Sequence, residues 1–419
     1  MTNTTAGTAA ARKTTVLISG ASVAGPALAY WLHRHGFAPT IVERAPALRE
    51  GGYAVDFRGE AHLTVLRRMG ILDALEAART GTGSMSYVNG AGKPLAKLPA
   101  DLFAGDLEVL RGDLARILYD ATKENTEYVF GDSVTSLAED ADGVHVTFER
   151  GAPRRFDLVV GADGLHSRTR SLAFGPEERY VKHLGVYCAV FTTANHLGLD
   201  RTGHTYVTPG RMVAMYSARG NTEAKGVFYF GSPLLDLDRR DVTRQQALLT
   251  ERFAGNGWQS DHLLERMRHA PDFYFDSVGQ VRMDSWSRGR VALVGDAAYC
   301  PSSLSGMGSG LALVGAYVLA GELAAARGDH RTAFAAYERE MRAYAEGCQK
   351  MGDGVAKMMV PRSRLLVALL NRYYKVMPYL PGKDMAARIA RKTAENITLR
   401  DYATQTGTRP TAAGIRVDN

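Results

Sequence analysis

Cysteine is scarce in this sequence, with three residues among 419, at positions 188, 300 and 348. The number is odd, and no two of them have the spacing of a metal-binding pair. This excludes a disulfide framework or a cysteine-based zinc site as the organising element of the fold. We expect free thiols, a reducing cytoplasmic location and no bound metal.

Long apolar runs are also missing. The residues before Val16 are polar or small, so residues 1–13 are expected to form a loose tail and not a signal peptide. The longest apolar stretch, residues 311–326, contains Glu322 and falls short of the ~20 apolar residues that a membrane span needs. We expect a buried helix there and no membrane span.

The sequence has only a slight excess of positive charge. The formal net charge is +7 and the isoelectric point is about 9.2, but Lys and Arg form no dense block and no repeat with aromatic residues. This pattern argues against a nucleic-acid partner. Hydrophobic residues make up 45% and charged residues 23%, which is typical of a globular protein, and the length suggests two joined domains.

The sequence does contain a strand–turn–helix pattern near its start. The segment SGASVAGP, residues 19–26, lies between an apolar strand and a helix. Gly20 and Gly25 stand at the first and third glycine positions of a dinucleotide-binding motif, with Ser22 at the middle one. The segment alone fits a plain structural turn equally well. Glu43, at the end of the next strand, favours a ligand site because an acid near that offset accepts hydrogen bonds from a ribose.

Two further motifs follow buried apolar strands. In DLVVGADGLHSRTR, residues 157–170, the strand leads into the turn Asp163–Gly164. In GDAAYCPSSLSGMGSG, residues 295–310, the strand ends at Asp296 and a glycine-rich turn opens a long apolar helix. An Asp at a strand end can bind sugar hydroxyls, and a glycine-rich helix start offers N–H groups to an anion. Each motif alone is also compatible with a structural turn.

The order of these patterns predicts a mixed α/β fold with interleaved domains. Strands and helices alternate through the first 170 residues, apart from a small β-meander, whereas residues 181–230 alternate apolar and polar side chains as antiparallel strands do. We predict a Rossmann-like dinucleotide-binding domain, an antiparallel-sheet substrate domain and a C-terminal helical region. These comprise, respectively, residues 14–75, 100–178 and 280–345; residues 76–99 and 179–279; and residues 346–419.

Together, in this order and at these separations, the three motifs resemble those of the class A (single-component) FAD-dependent aromatic hydroxylases, the monooxygenase family with the p-hydroxybenzoate hydroxylase fold. The resemblance covers about residues 14–345 and is closest to the antibiotic-tailoring and tetracycline-inactivating monooxygenases. It implies that the Rossmann-like domain binds FAD. By this resemblance, the FAD-binding residues would be Gly20, Ser22, Val23, Ala24, Gly25, Glu43, Arg44, Arg111, Asp163, Gly164, Asp296, Gly306, Met307 and Gly308.

The same resemblance implies the reaction. NAD(P)H, with a slight preference for NADPH, would act as a transient cosubstrate and reduce the flavin. Dioxygen would then be captured as a C4a-hydroperoxide that hydroxylates an aromatic or polyketide-like substrate. No side chain is assigned as a certain catalytic group, because the chemistry centres on the flavin. Pro301, Ser303 and Gly306 are candidates in the loop that would lie beside it.

Three positions depart from the family's pattern. Ser22 replaces a glycine, Tyr299 replaces the histidine usual after GDAA, and Ser303 stands where the family usually has proline. The last two motivate an alternative, a flavin-dependent dehydrogenase or reductase. A Baeyer–Villiger or epoxidising oxygenase on the same fold also stays open.

The substrate wall is expected on the antiparallel sheet. Its candidate residues are Tyr187, Phe191, Met215, Phe228 and Phe230, although each also fits core packing at alternate strand positions. The helices after Lys350 would cover the substrate domain or form a dimer contact. We therefore expect a monomer or a homodimer.

Overall fold

The computed structural model describes residues 12–49, 51–99, 105–380 and 385–402, which form eighteen β-strands and twelve α-helices. The strands are β1 (Thr15–Ser19), β2 (Ala38–Glu43), β3 (Ala54–Phe57), β4 (Met85–Val88), β5 (Pro94–Leu98), β6 (Leu107–Leu110), β7 (Glu127–Phe130), β8 (Val134–Glu139), β9 (Val144–Phe148), β10 (Arg154–Phe156), β11 (Leu158–Gly161), β12 (Val181–Thr193), β13 (Gly203–Thr208), β14 (Arg211–Ala218), β15 (Glu223–Gly231), β16 (Tyr274–Val281), β17 (Ser287–Arg288) and β18 (Val291–Leu293). The helices are α1 (Ala24–Arg34), α2 (Gly59–Met69), α3 (Leu72–Ala77), α4 (Arg111–Asp120), α5 (Arg168–Phe174), α6 (Val242–Phe253), α7 (Ser260–Met267), α8 (Asp296–Tyr299), α9 (Gly308–Ala325), α10 (His330–Met359), α11 (Arg364–Val376) and α12 (Met385–Ala394).

The first sheet has the strand order β17-β18-β11-β1-β2-β7, and all of its pairings are parallel except that of β17 with β18. Alternate residues of β1 are buried on opposite faces. Val16 and Ile18 belong to the core that also contains α1 and α9, whereas Leu17 packs with the β8–β9–β10 meander. Because parallel strands end at the same edge, the segments that follow β1, β11 and β18 lie together.

Helix α9 runs through the core and is apolar on all sides. It is long and apolar enough to cross a membrane by length and composition, but it is mostly buried inside the protein. Its glycines make room for large side chains: a β-carbon at Gly315 would lie 1.9 Å from the Tyr299 hydroxyl, and one at Gly310 would lie 2.1 Å from the His62 ring. The carboxylate of Glu322, the acid in this apolar helix, accepts hydrogen bonds from Tyr402 and Arg400. We therefore interpret α9 as a core helix.

The second large sheet has the order β16-β12-β15-β14-β13-β4-β5. Its pairings are antiparallel except that of β13 with β4, so a hairpin from early in the chain completes a sheet built mainly from residues 181–281. One face packs on α6 and α7. The other face contacts residues of α11, of the loop before α9 and of the loop before β3.

The C-terminal helices pack on different parts of the fold. Helix α10 packs along α9, α11 lies over β5 and β13, and α12 contacts α2 and α10. The fold is thus a mixed α/β arrangement of a parallel and an antiparallel sheet with helices at its C-terminal end, as the sequence predicts.

Candidate functional site

The turn after β1 is shaped by its two glycines. Gly20 has a φ of +110°, and a β-carbon there would lie 2.5 Å from the carbonyl oxygen of Ala162. A β-carbon at Gly25 would lie 1.9 Å from the carbonyl oxygen of Gly20, so the first turn of α1 sits directly on the strand end. Helix α1 has neither a side-chain cap nor an acidic residue in its first turn. Its N-terminal N–H groups therefore favour an anion.

Ser22 has a role that glycine could not fill. Its hydroxyl accepts a hydrogen bond from Nη2 of Arg111 at 3.0 Å. Arg111 opens α4, and its backbone N–H donates to the carbonyl of Tyr53. Burial lowers the pKa of Arg111, but the surrounding Tyr53, Asp296 and other acidic groups outweigh burial and raise it. The first motif is thus joined to the arginine that the sequence assigned to the same site.

Glu43 lies at the end of β2, across from the turn. Its Oε2 accepts a hydrogen bond from the backbone N–H of Ala21 at 2.9 Å, and its Oε1 accepts one from Ala45 at 2.8 Å. These bonds fix the carboxylate beside the turn, at the position that the dinucleotide motif predicts for a ribose acceptor. Arg44, predicted with it, is exposed at the surface.

The second motif is held by internal hydrogen bonds. Asp163 accepts from the hydroxyl of Ser167, from the N–H of Thr169 at 2.9 Å and from the hydroxyl of Thr169 at 3.0 Å. These contacts support a role for Asp163 in shaping the loop. At Gly164, by contrast, φ is +83° and no atom lies within 4 Å of where a β-carbon would be. Gly164 is therefore the residue that leaves open space next to the turn.

Arg170 connects the second motif to the third, a contact that the sequence analysis missed. Its side chain is fully buried. Nη1 donates to the carbonyl of Ala297 at 3.0 Å and Nη2 donates to the carbonyl of Leu165 at 2.7 Å. A buried guanidinium that bridges two loops fixes their separation.

The third motif places Asp296 against the start of α9. A β-carbon at Gly308 would lie 3.7 Å from Oδ1 of Asp296. Burial raises the pKa of Asp296, although the nearby Arg111 opposes this. The first turn of α9 has no side-chain cap and no acidic residue. Like that of α1, this helix start favours negative charge.

The loop between Asp296 and α9 contains the predicted candidates Pro301, Ser303, Gly306 and Met307. Pro301 and Met307 are buried and Ser303 is exposed. Gly306 has a φ of +64°, and a β-carbon there would lie 3.6 Å from Oδ2 of Asp56. Gly306 is thereby placed next to a charged side chain.

Tyr299, which departs from the family's pattern, and the neighbouring Cys300 both point into the core. Tyr299 is 1% exposed, and its hydroxyl accepts a hydrogen bond from Tyr337 at 2.9 Å. The buried Cys300 donates through Sγ to the carbonyl of Gly279, and burial raises its pKa well above the usual value. Neither residue is placed to react with a ligand.

An acidic pair missed by the sequence analysis lies beside Gly306. Asp56 of β3 faces Glu108 of β6 in the antiparallel register. Asp56 accepts from the N–H of Gly105 at 2.8 Å and lies 3.5 Å from the guanidinium of Arg58. Burial, with the charge of Glu108, raises the pKa of Asp56 to about 6. The only signal in the sequence was that each acid lies within a short apolar strand, Asp56 in β3 and Glu108 in β6.

The face of the second sheet that turns toward this site is lined with tyrosines. Tyr216, Tyr229 and Tyr274 are each partly exposed there. The hydroxyl of Tyr216 accepts from the N–H of Ala54, and the rings of Tyr274 and Tyr53 are 6.1 Å apart. Burial raises the pKa of all four hydroxyls, that of Tyr53 to about 12. Neutral phenol groups can hydrogen-bond an oxygen-bearing ligand and pack on its rings.

The substrate wall predicted from the sequence falls on the buried face of this sheet and not on the tyrosine-lined one. The residues predicted for it are at most 4% exposed and form the core with α6 and α7; they are Tyr187, Phe191, Met215, Phe228 and Phe230. Successive side chains of a strand point to opposite faces, so the tyrosine-lined face contains the neighbouring positions, such as Cys188 and Tyr229. Both faces are apolar, and apolarity alone could not distinguish them.

The chain matches the protein family described as "FAD binding domain" over residues 13–351. It is 51% identical over 338 residues to a Mycobacterium tuberculosis protein named "Uncharacterized protein Rv1260", covering 79% of this chain and 91% of that one. It is 40% identical over 354 residues to a "Flavin-dependent monooxygenase" of Legionella longbeachae, covering 84% and 90%. Among solved structures, the tetracycline destructase Tet(51) superposes with a TM-score of 0.82 at 36% identity, covering 93% of this chain and 100% of that one.

Proposed function

The chain belongs to the FAD binding domain family of flavin-dependent monooxygenases, and from this premise we propose that it uses NAD(P)H and dioxygen to hydroxylate an aromatic or polyketide-like small molecule. The observation that carries the proposal is the meeting of the tyrosine-lined sheet face with the three glycine-rich loops near Tyr53 and Arg111.

The residues of the three loops fit FAD. The uncapped start of α1 would bind its diphosphate, with Gly20 and Gly25 keeping the backbone free of β-carbons there. Glu43 would accept from a ribose, while Arg111 and Asp296 would contact the middle of the cofactor. The uncapped start of α9 would lie at the ring edge. Bound FAD would supply the redox chemistry, taking a hydride from NAD(P)H and activating dioxygen so that one oxygen atom enters the product and the other becomes water.

The start of α9 and the acidic pair would act at that ring edge. The uncapped N–H groups of α9 favour negative charge on a neighbouring group. Asp56, beside Gly306, has a carboxyl that can be protonated near pH 6. It would hold or release a proton at its Oδ2, with Arg58 favouring the ionised form.

The tyrosine-lined face supports the substrate class. Tyr216, Tyr229 and Tyr274 combine flat apolar rings with hydroxyls, which suits a planar, oxygen-rich molecule. Tet(51) is named as a tetracycline destructase, and a similar substrate of the polyketide type fits the same face. A simple benzoate has less support, because the sequence offers no evident pair of arginines for its carboxylate.

The test is substrate-stimulated NAD(P)H oxidation by the FAD-loaded protein, using a panel of phenols and polyketides. We expect product heavier by one oxygen atom, which carries the label when ¹⁸O₂ is supplied. Comparing NADPH with NADH tests the predicted slight preference for NADPH. Full product yield under anaerobic conditions would overturn the proposal in favour of a dehydrogenase or reductase. NMR of the product separates hydroxylation from epoxidation or ring expansion.

The alternative of a dehydrogenase or reductase loses one of its two motivations. It rested on the altered residues Tyr299 and Ser303. Tyr299 is buried under α9 at Gly315 and bonded to Tyr337, so its replacement of a histidine is accommodated by core packing. Ser303 is exposed in the loop before α9, and its replacement of a proline stays as the second motivation.

A further inference from the structure

The C-terminal helices carry an unusual concentration of exposed apolar side chains. Thirteen large apolar residues are exposed in the described part of the chain, and nine of them lie between α11 and α12. Five of these nine lie on α11, and we call them the C-terminal face: Leu365, Leu366, Leu369, Tyr373 and Val376, each at least 45% exposed. The other four are Tyr379, Leu380, Met385 and Ile389. Exposed apolar side chains concentrated in this way mark an interaction site.

Helix α11 divides its surface into three stripes. Val367 and Tyr374 point inward, and the ring of Tyr374 lies 4.5 Å from that of Tyr87 on the substrate sheet. At 3.6 residues per turn, the five residues of the C-terminal face share an outward arc of roughly 100°. Arg364, Arg372 and Lys375 occupy the arc on the other side of the inward stripe. The outward surface is therefore an apolar stripe next to a basic one.

The charge of the whole chain is concentrated in the same segment. Residues 361–394 contain eight Lys or Arg and one Asp or Glu, a net charge of +7. The entire sequence also has a net charge of +7, so the remainder of the chain is neutral overall. The basic residues are spaced along the segment and not consecutive, which is why the sequence shows no dense basic block.

Two occupants fit this face poorly. A second copy of the chain would bring two copies of this basic stripe together, and like charges in contact repel. A nucleic acid would match the charge but would leave the apolar stripe facing a polar backbone. An anionic lipid surface satisfies both stripes, since basic side chains meet headgroups while leucine and tyrosine enter the acyl boundary.

We propose that the C-terminal face is a peripheral membrane-binding surface that binds to an anionic phospholipid bilayer. The helix would lie at the surface of the bilayer and would not cross it, because α11 is packed against the substrate sheet through Val367 and Tyr374. The helix thereby separates the lipid surface from the substrate sheet. The apolar stripe lies on the side of α11 that faces away from the Tyr374–Tyr87 contact, and lipid binding there does not depend on the reaction proposed above.

Vesicle sedimentation with the full-length, FAD-loaded protein tests the proposal. The probes are vesicles of phosphatidylcholine alone and of phosphatidylcholine mixed with phosphatidylglycerol. We expect binding to the mixed vesicles only, and release by salt because screening shortens the reach of surface charge to about 10 Å at 0.1 M. Absence of binding to the mixed vesicles at low salt would overturn the proposal.

Matched variants distinguish the contributions of the apolar and basic stripes to vesicle binding from the general effects of substitution. Arg364→Gln and Lys375→Gln should each weaken partitioning about fivefold, and Leu365→Ser with Leu369→Ser should abolish it. The control for the leucines is Leu234→Ser, which changes a leucine that is 67% exposed elsewhere. The control for the charges is Arg268→Gln, an exposed arginine at the end of α7. Both controls should bind as the parent does.

Bound FAD and circular dichroism confirm that each variant is folded. If the C-terminal face instead mediates self-association, sedimentation velocity will detect a dimer that Leu365→Ser with Leu369→Ser dissociates while vesicles bind none of the proteins. That outcome would replace the lipid surface by a second copy and overturn the proposal. Equal vesicle binding by parent and leucine variants would overturn it as well.

Discussion

The imidazole of His166 is hydrogen-bonded to the carboxylate of Asp276, with Nε2 3.0 Å from both oxygens. Its other nitrogen, Nδ1, lies 3.0 Å from Glu177. Burial lowers the pKa of His166, but the two carboxylates outweigh it and raise the pKa above the usual value. Because His166 follows β11 and Asp276 lies on β16, this charged bridge fastens the second motif to the substrate sheet.

Replacing His166 by Gln should destabilise the protein in a pH-dependent way. A raised pKa in the folded state means that the bridge contributes fully below the unfolded pKa of about 6.5 and is lost as pH rises through the folded pKa. We expect a loss of about 2 kcal/mol below pH 6.5 that shrinks at higher pH. Urea unfolding across this range measures it. His145→Gln, at an exposed histidine bonded to Asp140, is the control, and a pH-independent loss would contradict the bridge.

Asp56→Asn should stabilise the protein at neutral pH. Burial and Glu108 raise the pKa of Asp56 to about 6, so ionising Asp56 destabilises the fold. The penalty is absent below the unfolded pKa of about 3.9 and complete above the folded pKa. The variant's advantage should therefore grow between pH 4 and 6 to about 3 kcal/mol, as urea unfolding can measure. A constant advantage would show that Asp56 does not titrate there.

Such an effect would identify Asp56 as a residue kept at a cost to stability, as functional sites often contain. Asp272→Asn serves as the opposite control. The hydroxyl and N–H of Thr192 and the charge of Lys225 outweigh burial and lower the pKa of Asp272. That substitution should destabilise the protein at neutral pH.

Gly20→Ala should abolish FAD retention, whereas Gly36→Ala should leave it nearly unchanged. Both glycines have positive φ, +110° and +86°, so both substitutions introduce the same kind of backbone strain, about 1 kcal/mol. Only the β-carbon at Gly20 also meets a backbone atom, the carbonyl oxygen of Ala162, whereas nothing lies within 4 Å at Gly36. The ratio of flavin to protein after gel filtration measures the difference. Equal retention by both variants would show that the first turn is only structural.

Arg111→Gln should weaken FAD binding about thirtyfold, because a hydrogen-bonded charge of this kind contributes about 2 kcal/mol. Arg111 is joined to Ser22 and lies near Asp296 and Glu43. Titration of the apoprotein with FAD, followed by flavin fluorescence, measures the affinity. Arg116→Gln, an exposed arginine on the same helix, is the matched control. Unchanged affinity in Arg111→Gln would remove this residue from the proposed site.

The neighbours Tyr229 and Phe230 should respond in opposite ways to truncation. Tyr229 lies on the tyrosine-lined face, and Phe230 is 1% exposed in the core with α6 and α7. Tyr229→Ala should raise KM for the substrate up to about tenfold. Phe230→Ala should lower the free energy of unfolding by about 3 to 5 kcal/mol. Steady-state kinetics with thermal unfolding distinguishes the two, and the reverse pattern would restore the first assignment of the substrate wall.

The sequence by itself determined the parts of this protein that depend on local rules. Gly20 and Gly25 indicate a tight turn, and Glu43 follows at the distance expected of an acid that binds a ribose. Apolar strands lead into Asp163 and Asp296. These signals lie within short segments and follow from backbone sterics and helix-end electrostatics. They sufficed to predict the mixed α/β class, and the resemblance of the three motifs to a known family implied FAD.

Tertiary structure decided what depends on contacts between distant segments. Strand register determines which face of the sheet meets the site. Because the side chains on both faces of β12 and β15 are apolar, Tyr229 could be distinguished from Phe230 only when the position of the sheet in the fold was known. The bridges from Arg170 to Ala297 and from His166 to Asp276 span more than a hundred residues. The same holds for Tyr299, whose hydroxyl fits against Gly315 because α9 crosses there. Packing and charge pairing of this kind leave no periodic trace along a single sequence.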